Sequence, residues 1–277
     1  MGGTTLRLAT WNVNGLRARA ARVATWLDSA APDVVLLQET KCDPEQVPDE
    51  LFTARGYAWS ARGGGGRNGV LIASRVGLGE LRDDLAAYAP AQSSTGEPLP
   101  DLLAEPRFLS AICGGIRVAS IYAPNGREVG APHWHAKLHW FAALRAWSSA
   151  ALSEAAPLAL GGDFNVAPRD IDVWDPSALI GATHVTSEER AAWLSLIGAG
   201  LIDAAQALAT SDTPTAFTWW DYRGGAFHRG WGMRIDHILI DPRAGNLRSC
   251  SVDREGRKGE LPSDHAALLV EFERGVV

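Results

Sequence analysis

Apolar runs only about five residues long recur through this chain, too short for the usual helix and long enough for a strand. They are Leu6 to Trp11, Val34 to Gln38, Val70 to Ser74, Phe108 to Cys113, Val118 to Tyr122, Leu158 to Gly162, Ile235 to Ile240 and Ala266 to Phe272. Between some of them the spacing becomes helical. Leu16, Val23, Trp26 and Leu27 share one face, and Trp134, Leu138, Phe141 and Leu144 share another. A further helix is expected near Ser187, where S-E-E-R offers a serine cap and acids in the first turn, with its end at Gly198 or Gly200. The series is mixed α/β. No repeat or linker interrupts it, so residues 1–277 read as one domain. Ala61 to Arg67 (ARGGGGR) and Tyr88 to Pro106 read as loops. The glycine run lacks the G-K-[ST] of a nucleotide P-loop.

Hydrophobic residues make up 46% of the chain, enough for a core, which excludes disorder, collagen and coiled coil. No apolar run reaches the roughly 18 residues of a membrane span. The start, MGGTTLRLAT, has neither the basic nor the apolar region of an export signal. Cys42, Cys113 and Cys250 are odd in number and far apart, so neither a disulfide framework nor a thiolate zinc site is written here. A cytoplasmic protein without membrane partners is expected. The formal charge of -6 argues against a nonspecific nucleic-acid coat, since phosphate binding is driven by basic residues displacing counterions. Yet Lys41, Lys137 and Lys258 are the only lysines among 26 basic residues. An arginine excess favours bidentate phosphate contacts, although a coding bias would produce it too.

Polar side chains gather where the runs end. Asn12 and Asn14 follow LRLATW, Glu39 follows VVLLQ, and Tyr122 and Asn125 close VASIY. Asp163 and Asn165 follow LALGG, Asp236 opens IDHILI, and Asp264 and His265 precede AALLVEF. One such residue is ordinarily a turn former. A repeated pattern is different, because a sheet brings its strand ends together, and carboxylates crowded there repel unless a cation or proton separates them. Hard oxygen ligands without cysteine or clustered histidine point to Mg²⁺ or Mn²⁺. The His135/His139 pair lacks the glutamate and third ligand of a zinc site.

Phosphodiester hydrolysis asks for such a set: a cation, a carboxylate that orients and deprotonates water, and a clamp on the nonbridging oxygens. Glu39 can hold the metal, and Asp163 with Asn165 can position water. His265 can donate to the phosphate while Asp236 orients its ring and keeps it protonated.

From about Leu6 to Phe272 the residues resemble the exonuclease III type of abasic-site endonuclease, within the endonuclease/exonuclease/phosphatase superfamily. The motifs are TWNVNGLRAR at 10–19, PDVVLLQETK at 32–41, IYAPNG at 121–126, GGDFNVAP at 161–168, WWDYR at 219–223, RGWGMRID at 229–236 and PSDHA at 262–266. G-D-x-N and S-D-H mark only the superfamily; N-G-L-R-A, Q-E-T-K and the D-Y-R to R-I-D stretch are features of its DNA-repair branch. The resemblance implies a four-layer α/β sandwich, two mainly antiparallel sheets packed face to face with helices outside. It makes Glu39 the main metal ligand, with Asn14 and Asp264 near the ion and Asn12 supporting the site. Tyr122, Asn165 and His265 contact the scissile phosphate, Asp163 orients or activates water, and Asp236 pairs with His265. The choice of general base, and one metal or two, stays open.

The implied activity is cleavage 5′ of an abasic site, with removal of 3′ blocking groups and 3′-5′ degradation of a duplex strand. The partner is then duplex DNA with abasic sites, nicks or blocked 3′ ends, met by a monomer that joins the nucleoid while acting. A sugar without its base extrudes at little unstacking cost into an apolar pocket, here Trp219, Met233 and Ile235. DNA contacts fall to Arg17, Arg67, Arg127, Arg223, Arg229 and Lys258, with Arg127 at an intercalating position and Asn125 beside it. Lys41 tunes the metal carboxylates. His184 stands where some strong abasic-site endonucleases have glycine, and its ring would stop the downstream strand, favouring nicks, gaps and 3′ ends. The rival readings are a phosphomonoesterase or phospholipid diesterase of the same superfamily, which predicts a membrane-directed segment, and a noncatalytic DNA-end binder, which predicts loss of Glu39, Asp163, Asp236 or His265.

Overall fold

A computed structural model describes residues 4–91, 99–212 and 214–274, so part of the loop expected at 88–106 lies outside the described residues. Its strands are β1 (Thr5–Asn12), β2 (Val34–Gln38), β3 (Ala58–Arg62), β4 (Val70–Ser74), β5 (Gly79–Arg82), β6 (Phe108–Cys113), β7 (Ile116–Tyr122), β8 (Leu158–Asp163), β9 (Ile202–Asp203), β10 (Trp219–Trp220), β11 (Gly232–Met233), β12 (Asp236–Ile240), β13 (Asn246–Asp253) and β14 (Ala267–Glu273). The helices are α1 (Ala20–Ala30), α2 (Asp49–Thr53), α3 (Pro132–Leu152), α4 (Ser187–Ile197), α5 (Ala204–Leu208) and α6 (Ala226–Arg229). One six-stranded sheet runs β13-β14-β1-β2-β4-β3 and the other β5-β6-β7-β8-β12-β9. Each is antiparallel except at one pair, β1 with β2 and β7 with β8.

Successive strand residues point to opposite faces, and here both faces are covered. Leu8, Leu36 and Val270 of the first sheet meet Val118, Ala159 and Ile238 of the second. Behind the first sheet, Ala9, Trp11, Val35 and Leu37 pack on Val23, Trp26 and Leu27 of α1 and Phe52 of α2. Behind the second, Ala119, Ile121 and Leu160 pack on Trp140, Phe141 and Leu144 of α3 and Trp193 of α4. The result is the expected sandwich, helices outside and sheets within. Double-sided burial also explains why the strands read as unbroken apolar runs instead of alternating ones. Leu36→Ala would open a cavity between the sheets, at a cost of about 2–5 kcal/mol. Gly162 permits close approach: a Cβ there would lie 1.9 Å from the Ile121 carbonyl oxygen, so only glycine lets β8 deliver Asp163 at its end.

Some boundaries differ from expectation. Ala61 and Arg62 belong to β3. Helix α4 is capped by Thr186, not Ser187: Thr186 Oγ1 accepts from Glu189 N at 3.2 Å, and Glu189 Oε2 accepts from Thr186 N at 3.3 Å. Only Thr186 has a glutamate three residues on, as a capping box requires. On α3 Leu138 is only half-buried, and Lys137 takes a fully buried place beside it. No helix among the described residues is long and apolar enough to cross a membrane.

Candidate active site

The strand register gathers the polar ends. Asp163 lies opposite Tyr122 on β7 and Asp236 on β12. In the other sheet Asn12 pairs with Gln38, Glu39 follows, and His265 stands just ahead of β14, the neighbour of β1. Asn12 Nδ2 donates to Glu39 Oε1 (2.9 Å) and to Asp163 Oδ2 (3.0 Å), so one amide ties carboxylates from the two sheets together. Asp163 Oδ1 accepts from the backbone N–H of Asn165 at 2.9 Å. His265 lies between two acids, with Nδ1 2.8 Å from Asp236 Oδ2 and Nε2 3.7 Å from Asp163 Oδ2. Asn14, Glu39, Lys41 and Asn165 all have left-handed backbones, φ 46 to 52°. Such conformations persist only where the surroundings hold them, and they cluster at functional sites.

Charge sorts itself within this cluster. Burial alone would strip the proton from His265, but Asp236 and then Asp163 outweigh it and raise its pKa, so the ring is an imidazolium. Burial raises Asp163 to about 7; His265 opposes this, while Asp236 and Glu39 reinforce it. Burial also pushes Glu39 upward, yet hydrogen bonds from Asn12 and Lys41 more than offset it, and the net shift is downward. Burial, followed by the Glu39 and Asp163 charges, lifts Tyr122 well above its ordinary value, so its hydroxyl stays a donor.

Ligand atoms of Glu39, Asp163 and His265 all lie within 4.8 Å of one another. A doubly protonated imidazole has no lone pair for a metal, which leaves the oxygens. Lys41 Nζ is 2.8 Å from Glu39 Oε2 and 2.5 Å from Asn14 Oδ1, so oxygens from these two positions already converge on a cationic group. Asn14 Nδ2 donates to Asp264 Oδ1 at 2.9 Å, and Trp219 Nε1 donates to Asp264 Oδ2 at 3.1 Å. This hard, partly buried, negatively charged oxygen set fits a metal cation.

Beside the floor, Met233 and Ile235 are buried with Ala167 and Val173, and Trp219, Leu179 and Val185 pack against them. The adjacent tryptophans part company, Trp220 joining a separate cluster with Ala226 and Ala266. His184 has φ 79°, a region that favours glycine. Its Nδ1 lies 2.6 Å from the Asn165 carbonyl and its Nε2 3.4 Å from Asn125 Nδ2, so Nδ1 donates and Nε2 accepts. Burial, then the nearby Lys137 charge, lowers it to about 4, which makes the ring neutral at pH 7. Arg17, Arg67, Arg127, Arg223, Arg229 and Lys258 are exposed, outside the bonded cluster. The backbone N–H of Arg127 donates to Asn125 Oδ1 at 3.1 Å, Arg229 covers Trp231, and Lys258 pairs with Glu255.

Sequence reasoning missed the supports. Lys137 Nζ donates to Asn165 O at 2.8 Å and to Glu189 Oε1, while Glu189 Oε1 also accepts from Thr183 Oγ1 at 2.7 Å. Arg234, 1% exposed, binds Asp172 through Nε (2.8 Å) and Nη2 (3.1 Å) and Asp203 through Nη1 (2.8 Å), anchoring the strand segment between Met233 and Asp236.

Two stacked mixed sheets whose shared end pools carboxylates, amides and an imidazolium define a class of phosphoester-cleaving sandwich. The chain matches the Endonuclease/Exonuclease/phosphatase family over residues 9–265 and belongs to it. It is 29% identical over 285 residues to exodeoxyribonuclease III of Haemophilus influenzae, an alignment spanning 96% of this chain and 100% of that protein. Among solved structures it resembles a 3′ phosphatase from Neisseria bound to product DNA hairpin, with TM-score 0.85, 33% identity and coverage of 97% and 99%. An AP endonuclease from Archaeoglobus fulgidus is similar, with TM-score 0.85, 31% identity and coverage of 96% and 99%.

Proposed function

We propose that this chain is a DNA-repair phosphodiesterase of the exonuclease III type that cuts 5′ of abasic sites and clears 3′ ends of phosphate and terminal nucleotides. It is a DNA-hydrolysing enzyme; the damage specificity, a single-domain monomeric state and action in the cytoplasm at the nucleoid belong to the proposal. The observation that carries it is the continuous bonded chain Glu39–Asn12–Asp163, with His265 clamped between Asp163 and Asp236.

Glu39, with Asn14 and Asp264 beside it, would hold Mg²⁺ or Mn²⁺, which supplies positive charge to phosphate oxygens when bound. The remaining chemistry belongs to side chains. Asp163, with a pKa of about 7, takes a proton from water held with Asn165. The water oxygen bonds to phosphorus as the P–O3′ bond breaks, and the departing 3′ oxygen takes a proton from solvent, leaving a 3′-hydroxyl and a 5′-phosphate. His265, fixed by Asp236, and the Tyr122 hydroxyl donate to the nonbridging oxygens, where charge builds. Asn12 supports both carboxylates. Trp219, Met233 and Ile235 receive the extruded sugar; Asn125, Arg127, Arg223 and Arg229 face the DNA, and His184 biases the site toward 3′ ends.

A labelled duplex panel tests this, with internal abasic site, 3′-phosphate, recessed 3′ end and undamaged control, each run in Mg²⁺, Mn²⁺ and EDTA. Hydrolysis of damaged ends with either ion and none in EDTA is expected. Folded protein that cuts no duplex but hydrolyses a phospholipid or a small phosphomonoester would overturn the reading.

A further inference from the structure

Most of the large aromatic side chains are buried, Trp11, Trp140, Trp147, Trp193 and Trp220 completely so. Trp174 and Trp231 are the exception that matters: 38% and 36% exposed, they stack on each other with centroids 5.0 Å apart and planes 28° from parallel. The Arg229 guanidinium lies over the Trp231 ring, 4.6 Å from its centroid. The backbone joins the pair to the walls proposed for the extruded sugar. Trp174 follows Val173, which bridges Met233, and the Trp174 N–H donates to Gly232 O at 3.0 Å. Stacking leaves apolar indole surface in water beside a cation, an arrangement the fold does not need for its core.

We infer that Trp174 and Trp231, with Arg229, form a stacking subsite for the unpaired base of a 3′-terminal nucleotide held at the active site. The inference rests on the proposed reading of that site and extends it from damaged to base-bearing ends. Met233 and Ile235 are 6% and 2% exposed and packed with Ala167 and Val173, so these walls present little open apolar surface to a base. A terminal nucleotide that keeps its base must place it outside those walls, where the indole pair is the adjoining surface. Any base has a π-face, so such stacking is sequence-tolerant, and an arginine beside it suits the neighbouring phosphate.

The test uses two hairpins that differ only at the 3′ terminus, one ending in a mispaired nucleotide and one in a tetrahydrofuran residue without a base. For Trp174→Ala and Trp231→Ala, kcat/KM on the mispaired end should fall by about 5- to 100-fold, with the base-less end within about twofold of wild type. The double Trp→Phe variant should keep most of the lost activity, which separates stacking from a folding defect. Equal losses on both hairpins, or none on either, would overturn the subsite. Binding of the same hairpins in EDTA, read by the anisotropy of a dye on the hairpin loop, keeps the two proposals apart. If wild type cuts neither hairpin the proposed function fails, while tighter binding of the mispaired end that Trp231→Ala abolishes still supports the subsite, and indifference to the base still overturns it.

Discussion

At the floor of the cleft Asp163 is 2% exposed, and its two oxygens accept from Asn165 and Asn12 while His265 flanks it. At the rim, Trp174, Trp231 and Arg229 stand in solvent, and His184 is held by one short hydrogen bond and one long one. The floor is assembled from the ends of paired strands, whose register fixes each residue against the next strand, with Asn12 tying the two sheets together. The rim is assembled from connections and the end of α6. A change at the floor therefore removes several interactions together, whereas under the proposed function a change at the rim should alter which DNA end fits and spare the chemistry.

The largest effect expected short of losing the base comes from Asp236→Asn, which takes away the charge that keeps His265 protonated. Single-turnover cleavage should slow by about 10² to 10⁴ with DNA affinity largely kept; a loss confined to affinity would place Asp236 in binding instead. Lys137→Met leaves Glu189 buried without its partner and should cost about 3–5 kcal/mol in denaturant unfolding. If stability is unchanged, the buried pair does not brace the rim. His184→Gly removes the ring and suits the left-handed backbone, so it should raise internal abasic cleavage relative to 3′-end cleavage by about tenfold, on the scale of one lost packing contact. A constant ratio would take the ring out of specificity.

A separate effect is expected on acid stability. Burial, with Lys137 for one ring and Arg234 for the other, lowers His184 and His237 to about 4 from 6.5. Folded-state pKa values below the unfolded ones mean that the unfolded chain binds the extra protons. Their stabilisation is full above pH 6.5 and is lost as pH falls toward 4. Melting temperature should decline across that window, less steeply in His184→Gly. A flat profile would mean that the rings are not held neutral.

The floor was legible in the sequence because its chemistry is local: Asn12, Glu39, Asp163, Asp236 and His265 sit at the ends of apolar runs or next to them, and strand ends must meet. The sandwich was legible because double-sided burial leaves unbroken apolar runs. What escaped depends on long-range pairing. Lys137 looks like a solvated helix residue until Glu189, 52 positions later, is placed against it. Arg234 reads as part of a motif, yet its partner Asp172 is 62 positions away. The Thr186 cap was within reach, since the T-S-E-E pattern points one residue earlier than Ser187. Trp174 carried no signal and Trp231 only its place in RGWGMRID, because nothing in sequence tells an exposed indole from a core one.

The central claim is that Asp163, bound to Asn12 and flanked by His265, handles the proton of the attacking water. Single-turnover cleavage of a 3′-phosphate hairpin by Asp163→Asn, at saturating enzyme and with Mg²⁺, tests it most directly. The rate should fall by about 10² to 10⁴ with hairpin binding preserved. A rate within a few-fold of wild type would contradict the claim.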